Sequence, residues 1–310
     1  MTNRLSAKNQ GRLATIKKYS GKSIVNLIIY ILLIEFAFVF LYPFIYMILN
    51  SLKYDYEVVD ATKQWIITEI NWNNYVQAFK LMDYLGTLKN TLIIVLGSTI
   101  GHVLSCALAG YGFARFKFKG STFMFMMAML SLIIPPSLMI MPLYIQFSVM
   151  GKVLPFAVMG TPLPIIVPSF FGFGLKGGLY IFLFRQFFKS LPISYEEAAK
   201  IEGCSMLKVF THIMLPLSRT TILVVSILSC VWHWNDYFEP ATYLNGNWMI
   251  LSQTINSVAS SSASVTSAAG ASVNMTALAA CMLCVLPLMI IYFIFQKQFM
   301  EGIEFTGLAN

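Results

Sequence analysis

The feature that most constrains this chain is a series of long apolar runs, separated by short stretches that hold most of the charges. A helix that crosses a bilayer needs about 20 mostly apolar residues, and its backbone must satisfy its own hydrogen bonds in lipid. Such runs occupy residues 24–49, 91–113, 122–143, 163–188, 217–238 and 276–295. The chain is 57% hydrophobic and 11% charged, whereas a soluble domain has about 25% charged residues. The sequence therefore predicts an all-α integral membrane protein with six transmembrane helices.

The basic residues, which give a net charge of +8, are distributed unevenly along the chain. Six of the 21 precede the first apolar run, others cluster at 115–119 and 185–219, and none lies between Thr220 and Gln296. Because basic loops stay in the cytoplasm, both termini are predicted to be cytoplasmic. The same asymmetry excludes a basic nucleic-acid-binding face. The predicted topology places Lys8, Lys117 and Lys200 inside and Lys63 and Asn245 outside.

These observations divide the chain into three parts. Residues 1–23 form a cytoplasmic N-terminal segment, residues 24–298 form the six-span domain, and residues 299–310 form a cytoplasmic tail. A cytoplasmic loop at 189–216 separates the fourth and fifth predicted spans.

Three further segments are not simple transmembrane runs, and two of them have alternative interpretations. Residues 71–79 have the pattern of a short amphipathic helix at the outer surface. The apolar, proline-rich residues 151–171 form a re-entrant or interfacial segment, or part of the fourth span. The Ser/Ala/Gly-rich residues 257–272 form a flexible outer loop or a helix of small residues.

The loop at 189–216 carries the most specific local pattern in the sequence. Its fixed positions are Glu197, Ala198, Ala199, Gly203, Ile213, Leu215 and Pro216. Pro192 cannot continue the preceding helix, and Ser194 and Glu197 have the spacing of a capping box, so a new helix is predicted to start there. Gly203 can adopt positive φ and end that helix. The two alanines leave room for another protein to approach closely.

This pattern resembles the EAA signature of the permease subunits of ABC importers, and all seven fixed positions are present. The resemblance implies that the loop forms a coupling helix that docks into a cleft of an ATPase subunit. It further implies that Glu197 pairs with a basic residue of the ATPase and that Gly203 sets the bend. The alternative is that Glu197 merely caps its own helix.

The rest of the chain is similar to the maltose-type, six-span branch of carbohydrate importers. The similar segments are 90–91, 182–188, 234–237 and 296–302, whereas the tail at 305–310 departs from the Lys-Gly ending of that branch. The resemblance implies a non-catalytic subunit of the bacterial plasma (inner) membrane that moves a carbohydrate, such as an oligosaccharide. It implies four partners: a second permease subunit, two ATPase subunits and an extracellular solute-binding protein.

The chain has no phosphate-binding loop of its own. Gly21, Lys22 and Ser23 resemble the end of such a loop, but position 16 is Ile16 where a glycine is required. ATP is therefore expected on the partner subunits, and no cofactor is expected here. Cys281 and Cys284 have CxxC spacing without a neighbouring histidine or second pair, which favours packing over a metal site. No catalytic residue is predicted.

Two groups of residues are candidates for a substrate pathway. Lys176 lies among glycines in the fourth apolar run, which predicts a kinked or interrupted helix with the ammonium facing a cavity. The competing interpretation places Lys176 at the outer interface. Glu35 and His102, also inside apolar runs, are interpreted as paired or solvated near a bend, in preference to a ligand role. The second group is Trp234, Asn235, Asp236 and Tyr237, which combine aromatic, amide and carboxylate groups that bind sugars or form an interfacial aromatic belt.

Three rival functions share part of this evidence. The EAA signature also occurs in importers of other solutes, such as an amino acid, a polyamine or phosphate. A secondary transporter driven by an ion gradient usually has a longer chain with paired repeats. A membrane scaffold that transports nothing is the third alternative.

Overall fold

The computed structural model describes residues 2–244, 246–267, 270 and 272–307. The side chains of residues 25–297 are described, apart from those of 245, 247, 268, 269 and 271. The prediction for Asn245 lies outside the described residues, and the side chain of Lys8 is not described.

The described part of the chain is mostly helical. In order, the helices are α1 (Thr2–Ser51), α2 (Asp55–Val59), α3 (Asn73–Leu81), α4 (Tyr84–Arg115), α5 (Ser121–Leu130), α6 (Pro136–Val153), α7 (Leu163–Ser169), α8 (Gly177–Ser190), α9 (Ser194–Ile201), α10 (Met206–Val209), α11 (Leu215–Leu217), α12 (Arg219–Asn235), α13 (Phe238–Tyr243), α14 (Leu251–Ser261) and α15 (Met275–Gly307). A two-stranded antiparallel hairpin, β1 (Val265–Thr266) and β2 (Ser272–Val273), precedes α15.

Among the described residues, three continuous helices are long and apolar enough to cross a membrane. They are the segment Val25–Ser51 of α1, the whole of α4, and the segment Met275–Lys297 of α15. They correspond to the first, second and sixth predicted spans. The apolar side chains of residues 25–44 in α1 mostly face outward, as expected of a helix in contact with lipid or with another apolar surface.

The third predicted span is not one helix. Helix α5 ends at Leu130 and α6 begins at Pro136. A proline disfavours helical backbone in the residue before it, and Pro136 occupies the first helical position, where its missing N–H costs nothing. The apolar run 122–143 is therefore divided between two helices.

The fourth predicted span is also interrupted. Between α7 and α8, the backbone takes positive φ at Gly172 (69°), Gly174 (120°) and Lys176 (62°). Glycine adopts these angles without a steric cost, and an α-helix cannot contain them. The interruption that the sequence predicts in the apolar run 163–188 is therefore present, and it lies at the glycines that flank Lys176.

The fifth predicted span begins with a bend. The segments Met206–Leu217 and Arg219–Asn235 meet at an angle of 76° across Ser218. The residues Phe210–Met214 before the bend form a π-helical turn. Helix α12 ends at Asn235, three residues before the predicted end of the span.

Helix α4 lies at the centre of the bundle and packs against α7, α8 and α12. Gly110 permits the closest approach, because a Cβ atom there would lie 2.5 Å from the Cβ of Phe184. A buried polar cluster joins α4 to α12: His102 Nδ1 lies 3.2 Å from Ser229 Oγ, and His233 Nδ1 lies 2.9 Å from the Ser229 carbonyl oxygen. The structural interpretation of His102 is consistent with this pairing.

The segment between α1 and α4 folds into a small polar unit. Lys53 is buried and donates hydrogen bonds to the carbonyl oxygens of Lys63 (2.8 Å) and Gln64 (2.7 Å). The buried carboxylate of Glu57 accepts hydrogen bonds from the hydroxyl and the backbone N–H of Thr68. Burial raises the pKa of Glu57, but hydrogen bonds from Thr68, Tyr54 and Glu69 together outweigh it, so the pKa lies below 4.5.

Two predictions of secondary structure in the polar segments are confirmed in part. The amphipathic helix predicted at 71–79 is α3, shifted by two residues at each end. The small-residue segment 257–272 is helical up to Ser261 and then enters the hairpin, so each alternative holds for one part of it. Residues 151–171 comprise the end of α6, a loop and α7.

Candidate coupling and transport site

The predicted cytoplasmic helix is α9, which begins at Ser194 as the sequence indicates. The capping box does not form: Ile193 occupies the N-cap position without a side-chain hydrogen bond, and Ser194 is already the first helical residue. The helix therefore begins two residues after Pro192, and the hydroxyl of Ser194 does not cap it.

Helix α9 presents two different faces. Ala199 is buried and packs on the core cluster of the bundle, while Glu197 and Ala198 face outward. Ile201 is 88% exposed, and Ile193 and Tyr195 are also exposed. The outward face thus combines one carboxylate, one small residue and several apolar side chains, a composition that suits contact with another protein.

Gly203 ends this helix as predicted. Its φ is +77°, and the backbone N–H of Cys204 reaches back to the Ala199 carbonyl at 3.0 Å. A Cβ at Gly203 would meet no atom within 4 Å. The glycine is therefore required by its backbone angle and not by crowding.

The remaining signature residues lie on the return to the membrane. Ile213 and Leu215 are half-buried and pack against the core cluster, and Pro216 is exposed in α11, just before the bend at Ser218. Among the signature residues, Glu197, Ala198 and Pro216 face outward, while Ala199, Ile213 and Leu215 anchor the loop.

The buried side of α9 is held by an ion pair that was not predicted from the sequence. Glu196 Oε1 lies 2.6 Å from Arg115 Nε, and both side chains are largely buried. Arg115 Nη2 also donates to the Leu191 carbonyl at 2.8 Å. Arg115 ends α4 and Glu196 lies in the first turn of α9. No sequence signal pairs residues this far apart, because only the fold brings them together.

Lys176 lies at the break in the fourth apolar run. Its left-handed backbone immediately precedes α8, and its Nζ atom lies 4.6 Å from the centroid of the Trp232 ring. Lys176 and Glu239 both line a cavity of about 170 Å³. The backbone breaks at 131–135 and 170–176 border the same cavity.

The aromatic residue at this site is Trp232, not the predicted Trp234. Trp232 is 43% exposed, whereas Trp234 is 2% exposed and donates its indole N–H to the Cys284 carbonyl at 3.1 Å. Trp234 therefore packs in the interior, and its ring does not face a pathway in this conformation. Positions two apart on a helix point about 200° apart, so only one of the two rings can face the cavity side.

The other three candidates do not form one surface with Trp234. Asn235 donates its side-chain amide to the Val231 carbonyl of its own helix at 2.9 Å. Asp236 accepts from the Phe238 backbone N–H at 3.1 Å, at the first residue of α13. Tyr237 is exposed, with its ring against Phe238. Glu35 is exposed on α1. Among the described residues, no three His, Cys, Asp or Glu side chains are grouped to hold a metal ion.

The family described as the inner membrane component of binding-protein-dependent transport systems matches residues 101–304. The chain belongs to this family. The match includes α8, α9 and the return into α12. The resemblance to importer permeases drawn from the EAA pattern is thereby confirmed, and this permease is a transport subunit of a membrane.

Individual relatives agree with the family assignment. The permease is 27% identical to the lactose transport permease LacG of Rhizobium radiobacter, over 86% of this chain and 90% of the relative. It is 27% identical to the melibiose/raffinose/stachyose import permease MelC of Bacillus subtilis, over 84% and 89%. It is 26% identical to the sn-glycerol-3-phosphate transport permease UgpE of Pectobacterium atrosepticum, over 70% and 71%.

A solved structure shares the fold. The crystal structure of a bacterial ABC transporter that imports the acidic polysaccharide alginate matches with a TM-score of 0.71. The match has 20% sequence identity and covers 88% of this permease and 96% of that chain. This likeness establishes the permease fold for the described part of the chain.

Proposed function

We propose that this permease is one of two membrane subunits of an ATP-driven importer and that its cargo is a carbohydrate of oligosaccharide size. The observation that carries the choice of cargo is the set of relatives named for lactose and for melibiose, raffinose and stachyose. ATP hydrolysis takes place on two separate ATPase subunits, and an extracellular solute-binding protein delivers the sugar.

In the proposed arrangement the chain crosses the membrane six times. The three continuous helices supply three crossings, and the broken pairs α5–α6 and α7–α8 and the bent pair ending in α12 supply the others. The basic residues that precede the first apolar run, and those around α9, support cytoplasmic termini. Interrupted helices are tolerated in a membrane where they border a water-filled cavity or are covered by protein.

Helix α9 is the proposed coupling helix. Its outward Glu197, Ala198 and exposed Ile201 form a small docking face, and Gly203 fixes the angle at which the chain leaves it. ATP-driven closure of the ATPase subunits would push α9 and its counterpart on the second permease together and turn the pathway outward.

The cavity beside Lys176 is the proposed stretch of pathway in this subunit. Trp232 offers an aromatic face, and Lys176 and Glu239 offer a donor and an acceptor of hydrogen bonds. Sugars present apolar C–H faces and hydroxyl groups, so this combination matches their chemistry.

A phosphorylated polyol is a second candidate cargo. The relative named for sn-glycerol-3-phosphate supports it, and the ammonium of Lys176 would complement a phosphate group. ATP-driven uptake by the reconstituted importer distinguishes the two classes. Radiolabelled raffinose and maltotriose are expected to accumulate, and accumulation of glycerol-3-phosphate alone would reject the carbohydrate proposal.

A further inference from the structure

Two adjacent glutamates at the start of α9 have opposite environments. Glu196 is 2% exposed and ion-paired to Arg115, whereas Glu197 faces outward. Successive residues of an α-helix point about 100° apart, so neighbouring side chains can serve different surfaces. The EAA signature includes Glu197 and leaves Glu196 unassigned.

From this geometry we infer that Arg115 and Glu196 are positioning residues that fix the orientation of α9 on the end of α4. The inference rests on the proposed function of α9 as the coupling helix. It assigns the inward glutamate to holding the helix and the outward glutamate to the partner.

The guanidinium of Arg115 joins three elements at one point. Arg115 belongs to the last turn of α4, its Nη2 donates to the Leu191 carbonyl at the end of α8, and its Nε lies 2.6 Å from Glu196 Oε1 in an ion pair without hydrogen-bond geometry. The hydrogen bond to Leu191 orients the planar guanidinium, and the charge of the guanidinium holds the buried carboxylate of Glu196 beside it. A carboxylate in the first turn of a helix and a cation at a helix C-terminus also match the helix dipoles.

Helix α9 needs a contact that fixes its orientation, because it is short and mostly exposed. An isolated helix of eight residues is unstable in water, and only Glu196 and Ala199 of α9 are buried. Ala199 contributes an apolar contact, but this contact does little to fix the orientation of α9. A buried ion pair contributes little net stability compared with apolar residues of similar size, and its attested use is to fix one arrangement. Movement of α9 would therefore be passed through Arg115 to α4, the central helix of the bundle.

Hydrogen–deuterium exchange of the full chain, assembled with its partner subunits in nanodiscs, tests this directly. In Arg115→Gln and Glu196→Gln, we expect the backbone amides of residues 196–203 to exchange about tenfold faster than in the wild type. Glu202→Gln and Lys117→Gln remove exposed charges nearby that lie outside the proposed docking face, and they are expected to leave exchange unchanged. Equal exchange in Glu196→Gln and Glu202→Gln would overturn the inference.

A double variant separates positioning from simple stability. In Arg115→Met/Glu196→Leu, apolar packing is expected to restore the melting temperature of the assembled transporter, because replacing both members of a buried pair is often neutral. If the ion pair fixes the orientation of α9, hydrogen exchange in α9 of the double variant stays fast and its coupled ATP hydrolysis stays low. Recovery of both properties would show a merely structural role and reject the inference. If Glu197→Gln has normal coupled hydrolysis while the exchange pattern holds, docking through Glu197 fails and positioning stands.

Discussion

The ammonium of Lys176 lies 4.6 Å from the centroid of the Trp232 ring, so the break between α7 and α8 meets the end of α12 at this pair. A cation over an aromatic face at this distance is held by the ring quadrupole. Lys176 also lines the cavity that Glu239 lines. Two segments distant in sequence thus build one polar and aromatic surface inside an apolar bundle.

Trp232→Ala is predicted to raise the KM for sugar uptake, because it removes the aromatic face of the proposed pathway. Loss of a contact worth about 1 kcal/mol corresponds to roughly a fivefold increase. Initial rates of radiolabelled raffinose uptake in proteoliposomes provide the measurement.

Two control variants sharpen that result. Val231→Ala removes an exposed apolar side chain beside Trp232 and should leave KM unchanged. Trp234→Phe removes the hydrogen bond to the Cys284 carbonyl and should lower the free energy of unfolding by about 1–3 kcal/mol. A KM effect of Trp234→Phe without a Trp232 effect would place the pathway on the other face of α12.

Glu197→Ala is predicted to lower cargo-stimulated ATP hydrolysis at least about tenfold, because it removes the proposed charge contact with the ATPase subunit. Membrane insertion should be normal, since Glu197 is exposed. Glu202→Ala, an exposed carboxylate at the other end of α9, is the matched control. Normal ATP hydrolysis in Glu197→Ala would show that Glu197 makes no important contact with the ATPase subunit and acts only within its own helix.

Cysteines introduced at Lys117 and Lys200 are predicted to react with an impermeant maleimide only after the cell membrane is opened. A cysteine at Lys63 should react in intact cells. The reason is the retention of basic loops in the cytoplasm. The native Cys204 lies in the α9 loop and should be replaced by serine first. Reaction of position 117 in intact cells would reverse the topology.

The segment between α1 and α4 is predicted to loosen in acid. The pKa of Glu57 is lowered below 4.5 because hydrogen bonds to its carboxylate outweigh burial. A lowered pKa contributes stability above the unfolded value of 4.5, and that stability is lost as the pH falls through the folded pKa. Proteolysis of residues 53–70 should therefore accelerate below pH 4.5. Glu57→Gln should abolish this pH dependence, and an unchanged dependence would assign it to another group.

The membrane class and the α9 segment could be predicted from the sequence because they depend on local signals. Apolar length identified α1, α4 and α15, and the fixed spacing around Glu197 identified a short helix that ends at a positive-φ glycine. The glycines around Lys176 likewise predicted an interruption. Apolar length alone gave no boundary between α5 and α6, which lies just before Pro136.

The contacts between distant segments could not be predicted. Trp232 and Trp234 have equal aromatic character, and only the packing of α12 on α15 buries Trp234 against Cys284. Arg115 resembled one more basic residue of a cytoplasmic loop until the fold placed Glu196 beside it. The spacing of Ser194 and Glu197 was compatible with a capping box, but the helix starts one residue earlier relative to that motif.

ATP-driven accumulation of a labelled oligosaccharide tests the central claim most directly. The complete importer is reconstituted in proteoliposomes, with the solute-binding protein and raffinose on the outer side and ATP on the ATPase side. The account predicts raffinose accumulation that requires ATP, persists when ion gradients are collapsed and is lost in Glu197→Ala. Accumulation that follows an ion gradient and continues without ATP would contradict it.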